Sequence, residues 1–197
     1  MANIEYRNPF RRMRMANNPK SKRTASSSAS KRTRTPDAIA LLKADHREVK
    51  DMHAHFEKLA EEGAAASERE ALARRICAAL RVHARIEEEI FYPAVKPVID
   101  DDLLLPEAKV EHDSARDLIE QIESSSPKDE LFDARVIVLG EYVQHHVKEE
   151  EREMFREVRA SKELDLRALG KQMQARKEEL MAGFKESADK KEKETAK

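Results

Sequence analysis

The chain has 197 residues, 39% of them charged, 40% hydrophobic and only 5% aromatic. Four Gly and seven Pro supply too few turns for a many-stranded sandwich or barrel. No apolar run nears the roughly 18 residues of a membrane span, and a single cysteine, Cys77, excludes an internal disulfide framework or a cysteine-based zinc knuckle. These exclusions leave an all-α, soluble protein of a reducing, cytoplasmic setting.

Charge divides the chain into three regions. Residues 1–36 carry ten Lys/Arg against one acid, Glu5; residues 37–160 carry 18 basic and 30 acidic side chains; residues 161–197 carry ten and eight. The first region contains Asn17-Asn18-Pro19 and Ser26-Ser27-Ser28 and almost nothing to bury, so it reads as a disordered, solvated basic tail. It implies no specific nucleic-acid partner and no membrane partner.

The middle region divides at its prolines. Pro36 precedes a first helix over 37–62, closed by Gly63. Ser67-Glu68-Arg69-Glu70 has the spacing of a capping box and opens a second helix, which runs to about Pro93–Pro97. Pro106 begins a third, fading in Ser124-Ser125-Ser126-Pro127, and a fourth runs over 128–159. Apolar residues recur at helical spacing: Ile39, Leu42, Val49 and Phe56; Ile76, Leu80, Ile90 and Ala94; Ala115, Ile119 and Ile122; Phe132, Val136, Leu139, Val143, Met154 and Val158. Four amphipathic helices with short connections predict an up-down-up-down bundle. Leu166, Leu169, Met173, Leu180 and Phe184 mark a further C-terminal amphipathic helix before a charged tail.

Each bundle stripe carries a histidine: His46, His83, His112 and His146. Two stripes add a carboxylate one turn later, Glu87 after His83 and Glu150 after His146, and an i,i+4 pair shares one helix face. A carboxylate on a core stripe is costly unless paired or metal-bound. The pattern also repeats internally. The segment from His83 to Tyr92 aligns with that from His146 to Phe155, and each is preceded by an acid–His pair, Asp45-His46 and Glu111-His112, on the helix before it. That repeat predicts a pseudo-symmetric centre for two metal ions, bridged by the two Glu and capped by the histidines. The donor set suits iron ahead of manganese or zinc.

Residues 37–160 resemble the hemerythrin-like, HHE cation-binding domain. The resemblance implies a four-helix bundle around a non-haem di-iron centre, with His46, His83, Glu87, His112, His146 and Glu150 as metal ligands. It also implies a small ligand such as dioxygen, nitric oxide or peroxide. Arg116 stands where oxygen-carrying members place a second third-helix histidine. Their final Asp falls at Glu151 rather than at Glu150. These departures point away from plain oxygen storage and toward binding, sensing or scavenging of the small ligand. A peroxide-consuming di-iron enzyme and a metal-free helical interaction module are the alternatives.

The remaining candidates have simpler expectations. His53 lies on the first stripe and is read as structural, with a substitute-ligand role as the alternative. His55 and His145 fall off the stripes, and Glu88, Glu89, Glu149 and Glu151 form an exposed acidic face, with Glu151 the fallback ligand. Cys77 is a small core residue and Tyr142 an ordinary packing aromatic.

Overall fold

The computed structural model describes residues 36–195, with side chains as far as Phe184. Of the tail expected to be disordered over residues 1–36, all but Pro36 lies outside them, as does the end of the charged tail. Within that span the protein is all-helical: α1 (Ala38–Glu61), α2 (from Ala66–Ile86), α3 (Leu104–Ser124), α4 (from Phe132–Glu149) and α5 (Leu166–Thr195). No described helix is long and apolar enough to cross a membrane. The first four helices form the expected bundle: α1 packs on α2, α3 on α4, α1 on α4 and α2 on α3. The fifth lies across α1 and α2.

Helix α1 starts where Asp37 caps it, its carboxylate accepting from Ala40 N–H at 2.8 Å. It ends before Gly63, whose φ of 66° lies in the left-handed region open to glycine. The capping box does not form. The cap of α2 is Ala65, without a side-chain bond, so Ser67 is already helical and Glu70 pairs instead with Arg74 at 2.6 Å. The run Ala64-Ala65-Ala66 has no residue that competes with helix, which lets the helix begin earlier. Helix α3 likewise begins before Pro106, which sits in the first turn where its missing N–H is harmless. Helix α4 begins late, because Ser126 and Asp129 hold a turn through reciprocal bonds of 2.9 Å.

The two histidine helices contain an unforeseen feature. Immediately after its Ile86 end, α2 widens into a π-helical turn at Glu87–Phe91, then continues through Tyr92–Val95 and a 3₁₀ turn at Lys96–Val98. Helix α4 does the same at Glu150–Met154 before Phe155–Ala160. Each wide turn opens on a core-stripe Glu. A π-turn inserts one residue and rotates everything after it. Accordingly Phe91 and Val95, not Ile90 and Ala94, are fully buried on α2, and Phe155 joins Met154 and Val158 in the core of α4. Pro93 fits the re-started helix beyond the first wide turn, but no proline accounts for the second.

Two apolar cores result. One holds Ile39, Leu42, Ile86, Phe91, Phe155 and the α5 residues Leu169 and Met173; the other holds Val49, Phe56, Ile76, Leu80, Ile119, Phe132 and Leu139. Cys77 belongs to the second as expected, and burial pushes its thiol up to about 12, where it is unreactive. Tyr142, by contrast, is exposed. His53 is structural: its ring packs over Gly140, where an added Cβ would meet Nδ1 at 2.8 Å, and its Nε2 is buried without a hydrogen-bond partner.

Burial lowers the pKa of His53 to about 4. Its neutral form therefore stabilises the fold fully above the unfolded value near 6.5, and that contribution is lost as the pH falls toward 4. Between pH 7 and pH 4.5 the metal-free protein should lose about 2–3 kcal/mol through this residue alone. Urea titrations at both values should show His53→Leu escaping that part of the loss; an identical acid loss in the variant would exclude the assignment.

Candidate metal centre

Between the two cores lies a polar layer. It is assembled from α1 (His46), α2 (His83, Glu87), α3 (His112) and α4 (His146, Glu150), all buried. Glu87 is 0% and Glu150 2% exposed, which leaves no solvent to stabilise their charge. The structure thus brings all six sequence-predicted residues together, in two groups whose donor atoms lie within 4.8 Å of one another. His46, His83, Glu87 and Glu150 make one, and Glu87, His112 and His146 make the other. Glu87 belongs to both.

Within the layer every imidazole presents its Nε2. His46 and His83 approach Nε2 to Nε2 at 3.2 Å, His112 and His146 at 3.3 Å. His46 Nε2 lies 3.2 Å from Glu150 Oε2, and Glu87 Oε2 lies 3.3 Å from His83 Nε2 and 3.4 Å from His112 Nε2. Oε1 of Glu87 and both oxygens of Glu150 are buried without a hydrogen-bond donor. Inward lone pairs set this close repel unless a cation lies among them. Orphaned carboxylate oxygens have the same need, so the donor set fits a metal.

The outer ring nitrogens explain why Nε2 faces inward. His46 Nδ1 donates to Glu151 at 2.9 Å, His112 Nδ1 to Glu88 at 3.0 Å and His146 Nδ1 to Glu111 at 2.8 Å. His83 Nδ1 faces Asp45 at the longer distance of 3.7 Å. A proton fixed on Nδ1 leaves the Nε2 lone pair for a metal. Glu88 and Glu151 are therefore not part of an exposed acidic face. Each is half-buried and orients an imidazole, with Arg116 and Lys43 as their respective counter-ions. Glu89 and Glu149 keep the expected surface roles, paired with Arg176 and with the exposed His145. His53 and His55 do not join the cluster.

Electrostatics follow the packing. Burial alone would push His46 down, but the adjacent carboxylate of Glu150, helped by Glu87 and Glu151, raises it to about 9 in the metal-free chain, so a metal would take the place of a proton there. Burial depresses His83 to about 4 in spite of Asp45. Burial and the charge of Glu150 push Glu87 well above the usual carboxylate range. Burial acts on Glu150 too, but His46 and His146 overcome it and hold it at about 2. Of the two central carboxylates, Glu150 is thus the ionised one, held against His46.

Tyr92 is a member of the layer that periodicity alone did not single out. Its hydroxyl lies 3.4 Å from Glu87 Oε2 and 3.5 Å from His112 Nε2, and its ring stacks on His112 at 5.7 Å. Phe155, its counterpart in the internal repeat, stacks on His46 at 5.9 Å. The signal was there: the repeat aligns a Tyr with a Phe, so only one half of the layer gains a hydroxyl.

A bundle whose helices each send an imidazole to a buried carboxylate layer is a helical metal-binding protein. Comparison with known proteins gives its family. Residues 37–158 match the hemerythrin HHE cation binding domain, and the chain belongs to that family. It is similar to the crystal structure of a hemerythrin HHE cation binding domain-containing protein from Mycobacterium kansasii. The identity is 26% and the TM-score 0.62, over 75% of this chain and 89% of that one. No curated protein matches the sequence.

Proposed function

We propose that the chain is a non-haem di-iron protein that binds a small ligand such as dioxygen, nitric oxide or peroxide in order to sense, carry or scavenge it. The observation that carries this reading is the sharing of Glu87 between the two donor groups. One ion would be held by His46, His83 and Glu150 and the other by His112 and His146, with Glu87 within reach of both groups. Mixed imidazole and carboxylate donors favour iron over manganese or zinc. When bound, the two irons supply electrons and an open coordination position to the small ligand. The protein's own part is to fix three of the four imidazoles through Nδ1 hydrogen bonds to carboxylates, with Asp45 facing the fourth, and to keep the Glu87–Glu150 layer buried. A metal-free helical module would have no use for two buried carboxylates that leave three oxygens without a hydrogen-bond donor.

A peroxide-consuming enzyme is the second reading, and Tyr92 favours it. Burial raises its pKa well above that of an ordinary phenol, so it keeps its proton beside Glu87 and His112. Its hydroxyl is therefore available to donate a hydrogen bond to a ligand in the layer. The cytoplasm, where a lone buried cysteine needs no disulfide partner, is the proposed compartment.

Aerobically purified protein should contain close to two irons per chain and show a bridged ferric absorption in the near ultraviolet. Stoichiometric zinc alone, or no metal after anaerobic loading with ferrous iron, would remove the di-iron reading. Peroxide turnover that falls in Tyr92→Phe at unchanged iron content would select the enzyme over the sensor or carrier.

A further inference from the structure

Beside the histidine layer lies a cavity of about 470 Å³. A diatomic ligand needs roughly the space of one water, about 30 Å³, and would leave most of this volume without contacts. Its walls are largely apolar: Val49, Leu80, Ile119 and Val143 come from the four bundle helices, and Leu180 and Phe184 from α5. An apolar space of this size within a bundle forfeits packing unless something fills it, and it falls in the range of small-molecule sites.

The polar side of the cavity is the imidazole face of the layer, to which three carboxylates add little free charge. Asp45 is paired with Lys177, Glu88 with His112 and Arg116, and Glu111 with His146. Arg116 itself stands on the wall. Arg116 is in turn paired with Glu88 and Asp113, so the polar end is close to neutral, and the cations that the histidine layer would hold are what favour an anion.

The α5 wall is firmly placed, although it lies beyond the residues that match the family. Met173 is wholly buried, Gly170 crosses directly over the backbone of Pro36, Asp37 and Ala38, and Arg176 pairs with Glu89 at 2.7 Å. Lys177 ties the same helix to Asp45, which faces His83.

We propose that this cavity binds a small amphipathic organic acid, its alkyl body on the six apolar side chains and its carboxylate at the histidine face. For the head group the proposal rests on the di-iron reading; for the alkyl body it rests on the protein alone.

Straight-chain carboxylates from acetate to octanoate, titrated calorimetrically into the iron-loaded full chain, test it. Each methylene moved from water to the apolar wall should tighten binding about fourfold. The double variant Leu180→Ala, Phe184→Ala alters only partly exposed positions, and it should weaken octanoate at least tenfold while acetate affinity and iron content stay unchanged. Ala115→Phe, which fills the cavity from α3, should do the same. Affinity independent of chain length in iron-loaded protein, or an undiminished octanoate response in the double variant, would overturn the proposal. A chain-length slope in protein that takes up no iron would leave the cavity assignment standing while the di-iron reading failed.

Discussion

Glu87→Ala should strip the protein of both metal ions, taking iron from close to two per chain to near zero. Glu87 is the only residue common to the two donor groups, and its Oε2 faces one histidine of each at 3.3 and 3.4 Å. Glu150→Ala should empty the His46 and His83 position and loosen the other. Neither change need unfold the metal-free bundle, since deleting a buried carboxylate also deletes its desolvation cost. Glu88→Ala and Glu151→Ala should behave differently. Each leaves the inward donors intact but frees an imidazole to rotate, because Glu88 holds His112 and Glu151 holds His46 through Nδ1. Loss of such an orienting carboxylate costs about 10–100-fold in metal affinity. Iron should therefore remain after gentle purification and leave under a chelator challenge that the parent withstands. Metal analysis before and after that challenge, with a circular dichroism melt of each variant, separates the two classes. Full occupancy in Glu87→Ala would mean that the ions lie elsewhere.

The inward layer was legible because it obeys the helix period. Four histidines fall on apolar stripes, and a buried Glu one turn beyond two of them has no inexpensive explanation without a metal. The helix register beyond each Glu was not legible, since a π-turn breaks the 3.6-residue repeat that makes a stripe visible. The stripe therefore predicted Ile90 and Ala94 where the structure buries Phe91 and Val95. The orienting carboxylates were hidden for another reason. Glu88 and Glu151 sit next to the inward Glu in sequence, and a local pattern assigns them to solvent. They turn inward only because a neighbouring helix brings an imidazole within hydrogen-bond reach, and each reaches into the opposite half of the repeat. Helix α5 was visible as an amphipathic stripe, but its partners were not. That Lys177 meets Asp45 depends on a helix crossing 132 residues apart in sequence. The capping box failed on local physics alone, outcompeted by three alanines.

Gly170→Ala should lift α5 away from the bundle. A Cβ at this position would lie 2.6 Å from Ala38 N and from Pro36 O, and 2.7 Å from the carbonyl carbon of Asp37. These are backbone atoms of the capped first turn of α1, fixed by the bond from Ala40 N–H to Asp37, so they cannot swing aside as a long side chain would. In an open helix the same substitution is favourable by about 1 kcal/mol. Here the overlap, together with the loss of the packing around Leu169 and Met173, should make it unfavourable by about 2–3 kcal/mol. For a chain of this size that is a fall of roughly 5–10 °C in Tm. Gly183 is the internal control. Among the described residues a Cβ there meets nothing within 4 Å, so Gly183→Ala on the same helix should cost far less than Gly170→Ala. Undocking has further signatures. Protease should cut the connection at residues 161–165 faster, and the loss of Lys177 from Asp45 should loosen iron held through His83. If Gly170→Ala melts like the parent and resists protease equally, then α5 does not cross α1 as closely as the structure places it, and its contribution to the cavity wall goes with it.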